Sequence, residues 1–309
     1  MSAVPHASSA GDAAPCENCG GAASWEAAPW GAAAWGAAAW GGAFGCVGRA
    51  DVARCRRCGG WTFTGPVAAP AEELYGEAYF NGGEYAAYDA ARASHARNFA
   101  RKLRLLRRHG APRPEATRLL ELGCATGEFL AAARRAGVAQ ALGLEVSAYC
   151  REVARARGHA VLSPTDAAAD LAVTALRPNL VVAWDVWEHL PAPASTLDAL
   201  LRRASPGVTV ALTTVDAGSA VARLRGTRWR QFHPPTHLCY PTRRSLRLYF
   251  ERLGFAIVHH GSFGYYRPLA EYLRVLGVRA RASPPRWLTT PIFLDLYDIQ
   301  LVIARRAEP

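Results

Sequence analysis

Residues 119–130 read LLELGCATGEFL, and their order decides the fold. Apolar residues and one acid, Glu121, run into Gly123; a loop of small residues ends at Gly127; an apolar helical pattern follows. That is a strand, a glycine turn and a helix start. The glycines admit backbone angles that a side chain forbids, and the exposed amides of a helix start attract a carboxylate or a ribose hydroxyl. A nucleotide-like ligand can approach such a backbone closely. The plain alternative is a strand–turn–helix that binds nothing.

The spacing separates two kinds of Rossmann-like site. A dinucleotide fold asks for G-x-G-x-x-G, which Gly123, Ala125 and Glu128 do not fill. The run instead resembles motif I of class I S-adenosylmethionine (AdoMet) methyltransferases, usually E/D-x-G-C-G-x-G. Ala125 stands where the middle glycine is usual, a small-for-small change. The resemblance implies AdoMet contacts from Glu121, Gly123, Cys124, Ala125 and Gly127. Further on, the apolar run Leu142, Gly143, Leu144 ends in Glu145 and Val146. In doubly wound folds an acid at that strand end sits over the ribose. Glu145, with Val146 beside it, is therefore the expected ribose ligand, a surface glutamate being the alternative. Residues 159–162 read as a third strand. Asp166 follows where the family often contacts adenine, or it is a simple loop aspartate.

Residues 179–184, NLVVAW, form a fourth, almost wholly apolar strand that ends in Asp185, Val186, Trp187, Glu188, His189 and Leu190. This resembles the D-x-x-E-H-L signature of a broad group of small-molecule methyltransferases, in which strand four ends beside the AdoMet sulfonium. Further resemblance comes from residues 229–238, WRQFHPPTHL, and from residues 74–80, LYGEAYF, an aromatic lead-in that folds over the cofactor in this group. Tyr79 joins the implied cofactor contacts on that ground. The resemblance spans residues 70–304. It implies a doubly wound, Rossmann-like seven-stranded α/β sheet, mostly parallel, with a reversed final hairpin closed by residues 299–304. Helices are expected over residues 242–254 and 265–277, walling the acceptor pocket.

The chemistry implied is an in-line displacement, with a substrate nucleophile attacking the AdoMet methyl carbon. Alignment and desolvation supply most of such an effect. A hydroxyl acceptor must also lose its proton. Asp185, Glu188, His189, His233 and His237 are the groups available, and His189 and His237 lead because imidazole exchanges protons near neutral pH. Asp185, Glu188, His189 and His237 also resemble the E-x-x-E-H…H set of two metal-dependent groups, the ubiquinone-pathway O-methyltransferases and the small-RNA end methyltransferases. That resemblance implies Mg2+ at the acceptor site, gathering substrate oxygens. Asp185 is one methylene shorter than the usual glutamate. In many relatives the same segment supports the cofactor pocket without metal.

Two C-x2-C knuckles, Cys16 with Cys19 and Cys55 with Cys58, precede this region, and each is followed by glycine. Four thiolates from paired knuckles suit tetrahedral Zn2+ and resemble the zinc ribbon ahead of some methyltransferases. With no open coordination position, the role expected of it is structural. Cys46 is a spare thiol or a substitute ligand, and Cys124, Cys150 and Cys239 are expected to be buried thiols. Residues 27–45 repeat Trp-Gly-Ala units without charge, as a loosely packed loop would. The expected division is a zinc-ribbon-like segment over residues 1–68 and a methyltransferase domain over residues 69–309.

The 309 residues carry a formal charge of +11, and Lys102 is the only lysine, a pattern of GC-rich coding. Such charge favours anionic partners, whether phosphorylated small molecules or RNA. The basic stretch over residues 92–118 reads as an amphipathic helix with a solvated basic face. Arg223, Arg225, Arg228 and Arg230, around Trp229, are candidates for anionic-substrate recognition. No apolar run is long enough for a bilayer, and a signal-peptide pattern is lacking, so no membrane partner and a cytoplasmic location are expected. The activity expected is AdoMet-dependent methyl transfer to a small molecule, by O-methylation of a sugar, quinone or specialised metabolite. An RNA methyltransferase using the ribbon and the basic surface is the first rival, and a non-catalytic binding protein the second. The sequence does not indicate an oligomeric state.

Overall fold

A computed structural model of the chain describes residues 16–21, 25–27, 52–65, 70–77, 92–234, 236–275 and 286–307. Residues 28–51, with Cys46 and most of the Trp-Gly-Ala repeats, lie outside the described residues, as does Tyr79. The strands are β1 (Trp25–Ala27), β2 (Val52–Cys55), β3 (Trp61–Phe63), β4 (Arg118–Leu122), β5 (Gln140–Leu144), β6 (Val161–Leu162), β7 (Leu180–Trp184), β8 (Thr209–Val215), β9 (Cys239–Tyr240), β10 (Phe255–Ser262), β11 (Tyr265–Pro268), β12 (Pro291–Leu294) and β13 (Ile299–Arg306).

The large sheet has the order β10-β13-β8-β7-β4-β5-β6. β4 runs parallel to β5 and β7, β5 to β6, and β7 to β8; β13 lies antiparallel to both β8 and β10. This is the doubly wound sheet with a reversed final hairpin that the sequence implied. Chain order reverses between β4 and β7, and the crevice outside their carboxyl ends is where such sheets bind ligands. Alternate residues of these strands face opposite layers. Leu119, Val182 and Trp184 pack with Phe129 and Leu130 on one side, and Leu120, Val181 and Ala183 with Leu197 and Phe250 on the other. Helices Arg92–Arg108 and Glu128–Arg135 cover the first layer, and Pro193–Leu201 and Arg243–Arg252 the second. Coverage on both sides explains why β7 and β8 are buried at every position.

A second sheet, β1-β2-β3-β9, joins the residues around the cysteine knuckles to a strand that follows the histidine loop. Three expectations are corrected. The basic helix forms with Arg97, Arg104, Arg107 and Arg108 exposed, but Lys102 departs from that face: it is only 2% exposed and packs over the Trp184 ring at the end of β7. Residues 265–277 are not one helix: Tyr265–Pro268 pair with β12, and the helix starts at Leu269. Consecutive tyrosines favour strand pairing, and a proline is tolerated only at a helix start. The third strand is confined to Val161–Leu162. No helix among the described residues is long and apolar enough to cross a membrane.

Leu120 is completely buried at the centre of the sheet. Leu120→Ala should cost about 2–5 kcal/mol in urea unfolding; a cost near zero would mean that β4 is not the core strand.

Candidate active site

The loop after β4 is built from left-handed residues. Gly123, Ala125 and Gly127 have φ of +68°, +46° and +86°. A Cβ on Gly123 would lie 2.5 Å from Val186 Cγ2, so space and backbone both demand glycine there. Ala125 carries a side chain in the region that glycine prefers, at a cost of about 1–2 kcal/mol. Its N–H donates to Glu145 Oε2 at 2.8 Å, while the Ser147 N–H donates to Glu145 Oε1 at 2.9 Å. The Gly123 N–H donates to the Leu144 carbonyl at 2.7 Å. The loop is thus stitched to the end of β5, a role for Glu145 that the sequence did not indicate. Cys124 packs into the room left by Gly143, where a Cβ would sit 2.5 Å from its sulfur. The Val146 carbonyl accepts from the Arg151 guanidinium at 2.6 Å. Asp166 is exposed at the start of helix Ala167–Leu176, just after β6.

Two buried acids give this edge its polarity. Burial pushes the Glu145 carboxyl upward, and the Ser147 and Ala125 amides oppose the shift. Burial also drives Glu121 well above its usual range, with Lys102 opposing. Glu121 Oε2 has no hydrogen-bond partner among the described residues. An orphaned carboxylate oxygen, a second acid stitched to a glycine loop and a helix start beyond it fit the amino acid and ribose parts of AdoMet.

At the end of β7, Asp185 adopts φ +58°, an angle to which aspartate is better suited than most residues. Its two carboxylate oxygens accept from the Tyr265 hydroxyl at 2.7 and 2.6 Å. Lys102 Nζ lies 3.7 Å from Asp185 Oδ2 and 4.5 Å from the centre of the Trp184 ring. Burial pushes the Lys102 ammonium downward, and Asp185 and Glu121 oppose it. Lys102 and Tyr265 are site residues that the sequence reading missed. Lys102 did carry a signal, as the one lysine among 36 basic residues. A compact ammonium fits a narrow aromatic cage where a planar guanidinium would not.

Glu188, His189 and His237 converge, with one ligand atom of each lying within 4.8 Å of the others. The His237 Nδ1 faces the Gln231 carbonyl at 2.7 Å, and the His189 Nδ1 faces the Thr236 carbonyl at 2.9 Å and the Tyr75 hydroxyl at 2.9 Å. A carbonyl only accepts, so each Nδ1 carries the proton and Nε2 keeps its lone pair. The His189 and His237 rings are 4.6 Å apart, and His233 stacks 3.7 Å from His237. Burial, then His233 and His189, hold His237 well below the usual imidazole range, and burial pushes His233 down to about 4. Glu188 accepts from Thr214 Oγ1 at 2.8 Å and is pushed up to about 8 by burial and the Asp185 carboxylate.

The set of four expected from sequence therefore assembles as three plus one. Asp185, shorter than a glutamate and bent by its left-handed backbone, is engaged by Tyr265 and Lys102 instead. Arg230 is also reassigned. It pairs with buried Asp298 at 2.8 Å, a carboxylate it shares with the Trp229 indole, so it anchors the loop. Arg223, Arg225 and Arg228 are exposed.

The four knuckle cysteines are at most 2% exposed, and their sulfurs lie within 4.8 Å of one another. The Cys16 and Cys58 sulfurs are 3.8 Å apart. A disulfide needs about 2.05 Å, whereas thiolates at about 2.3 Å from a tetrahedral zinc lie about 3.8 Å from each other. The donor set fits zinc. Cys124, Cys150 and Cys239 are free and buried, as expected.

Residues 88–260, more than half of the chain, match the family described as methyltransferase domain. The chain belongs to that family. It is an AdoMet-dependent methyltransferase. Among solved structures, an AdoMet-dependent methyltransferase from Archaeoglobus fulgidus is 18% identical with a TM-score of 0.48, covering 77% of this chain and 100% of its own. One from Mesorhizobium loti is 21% identical with a TM-score of 0.44, covering 66% of this chain and 97% of its own. The magnesium protoporphyrin IX methyltransferase of Synechocystis with bound AdoMet is 14% identical with a TM-score of 0.46, covering 79% and 100% respectively. No curated protein matches the chain.

The methyltransferase's buried Glu188 makes a pH prediction. A carboxyl whose folded pKa exceeds its unfolded value keeps its proton longer when folded, so stability falls as pH rises between the two. Glu188→Gln should therefore gain stability relative to wild type as pH rises from 4.5 to about 8, with no further gain above. Parallel thermal midpoints for both proteins across that window would contradict the assignment.

Proposed function

We propose that this methyltransferase binds AdoMet along the carboxyl ends of β4, β5 and β7 and methylates a hydroxyl of a small molecule held against His189 and His237. The observation that carries this reading is the pair of imidazoles with Nδ1 tied to backbone carbonyls, His189 one turn beyond the end of β7 and His237 in the loop before β9. In it, Glu145 accepts the ribose hydroxyls, and Gly123, Cys124, Ala125 and Gly127 let the ligand approach the backbone. Glu121 offers its orphaned oxygen to the amino group. Val146 and Asp166 flank the adenine, and Asp185, held by Tyr265 and Lys102, borders the methyl.

AdoMet supplies an electrophilic methyl group. The chain supplies alignment and proton management. His237 Nε2 takes the acceptor's hydroxyl proton as the oxygen–carbon bond forms and the sulfonium–carbon bond breaks. His189 orients the acceptor oxygen. Glu188, protonated near neutrality, donates a hydrogen bond to it. Burial of Glu188 and His237 favours a small acceptor over a folded RNA, and the exposed Arg223, Arg225 and Arg228 suit an anionic one.

A second reading puts a divalent ion on Glu188, His189 and His237, favoured by their convergence. Two imidazoles and one carboxylate form a softer set than Mg2+ prefers, so manganese or zinc suits it better. We further assign structural zinc to Cys16, Cys19, Cys55 and Cys58, a ribbon-like unit over residues 1–68 ahead of the catalytic domain, and a reducing compartment such as the cytoplasm, where paired thiols persist.

Gly123→Val should weaken AdoMet at least about tenfold in calorimetry, at a folding cost above the roughly 1–2 kcal/mol of the left-handed backbone alone because its side chain also meets Val186; undiminished affinity in folded protein would take the loop out of the cofactor pocket. In an acceptor screen, His237→Ala should lower turnover about 100-fold or more, with AdoMet affinity within about threefold of wild type. Equal losses in both would make it a pocket support instead of the base.

A further inference from the structure

The cysteine knuckles and the histidine loop share a strand ladder. β3, directly after the second knuckle, pairs antiparallel with β9, Trp61 opposite Tyr240 and Thr62 opposite Cys239. The Phe63 amide donates to the Leu238 carbonyl at 2.8 Å, one residue beyond His237. Both knuckles grip this ladder. Asn18, fully buried between Cys16 and Cys19, donates to the Trp61 carbonyl at 2.9 Å and to Thr62 Oγ1 at 3.2 Å. Thr242 Oγ1, just past β9, donates to the Cys58 carbonyl at 2.8 Å.

The ladder in turn holds the loop. Trp61 packs against Trp229, Phe232 and Tyr240 with ring centres 6.3, 6.2 and 6.1 Å away. The Tyr240 hydroxyl donates to the His237 carbonyl at 3.0 Å, and the Leu238 amide donates to the Glu188 carbonyl at 2.6 Å. Yet β3 has three residues and β9 two. Pairs so short are marginal by themselves. Cys16 and Cys58, 42 positions apart, converge on one point, and a metal there would close that long loop.

We propose that metal bound to Cys16, Cys19, Cys55 and Cys58 clamps β3 onto β9 and thereby positions His237. The module acts on the acceptor half of the site through Asn18, Trp61 and Thr242, which are positioning residues. The AdoMet half, built from the glycine loop and Glu145, is independent of it. The proposal rests on the reading of the four thiolates as a metal site.

Hydrogen exchange read by mass spectrometry tests it on the full-length protein, zinc-loaded and then stripped by a chelator under reducing conditions, with metal content measured throughout. Stripping should speed exchange over residues 236–242 about tenfold or more. Residues 119–127 should keep their protection, AdoMet affinity should stay within about threefold, and added zinc should restore the loop. Trp61→Ala, which keeps all four thiols, should loosen the same segment with zinc content unchanged. If stripping removes protection everywhere, that variant decides. Exchange over residues 236–242 that ignores both zinc and Trp61→Ala overturns the clamp. A protein that takes up no zinc overturns the metal site and the clamp together, whereas zinc-loaded protein that fails to bind AdoMet contradicts only the methyltransferase pocket.

Discussion

The Glu145 carboxylate holds two backbone amides at once, one from the loop after β4 and one from its own helix start. The glycine loop depends on that bracket. Ala125 sits in a left-handed conformation that costs about 1–2 kcal/mol, and a charge-assisted hydrogen bond to its N–H, worth about 1.5–3 kcal/mol, is large enough to offset it. The same carboxylate is buried at the carboxyl end of β5, the position at which the proposed AdoMet ribose would meet it. One side chain therefore fixes the geometry of the loop and of the helix start beside it.

Buried charge is the second constraint. Lys102, Glu121, Asp185 and Glu188 crowd the carboxyl ends of β4 and β7, and Lys102 is the basic group that opposes the rise of both buried glutamates. Losing Lys102 removes the cation that offsets these acids, whereas neutralising Glu188 leaves no charge unpaired. The system responds by keeping Glu188 protonated near neutrality and His237 neutral. Those are the states that the proposed methylation of a hydroxyl would use, a hydrogen-bond donor beside an available base. The acid–base character of Glu188 and His237 thus follows from burial rather than from any exceptional residue.

Much of this was legible in the sequence because the signals are local. The glycine loop, the acid closing β5 and the apolar run of β7 each occupy a few consecutive residues, and the sheet placed them at one edge as expected. Lys102 was misread although its position carried the clue: it falls three residues after Phe99 and four before Leu106, inside the apolar stripe of its helix. Helix periodicity outweighs the assumption that charge means solvent. Tyr265 gave no local clue, because its partner Asp185 is 80 positions away and is reached through a hairpin whose strands are hard to distinguish from a helix start. The β3–β9 ladder was illegible for the same reason, its strands being too short to leave a periodic trace.

The measurement that tests the account most directly is a crystal structure of the zinc-loaded protein with S-adenosylhomocysteine. The account predicts the ribose hydroxyls on Glu145, the amino acid end beside Glu121, and the sulfur facing the group formed by Glu188, His189 and His237. A nucleoside bound away from the β4 loop, or a sulfur turned from His237 toward the opposite face of the sheet, would contradict it.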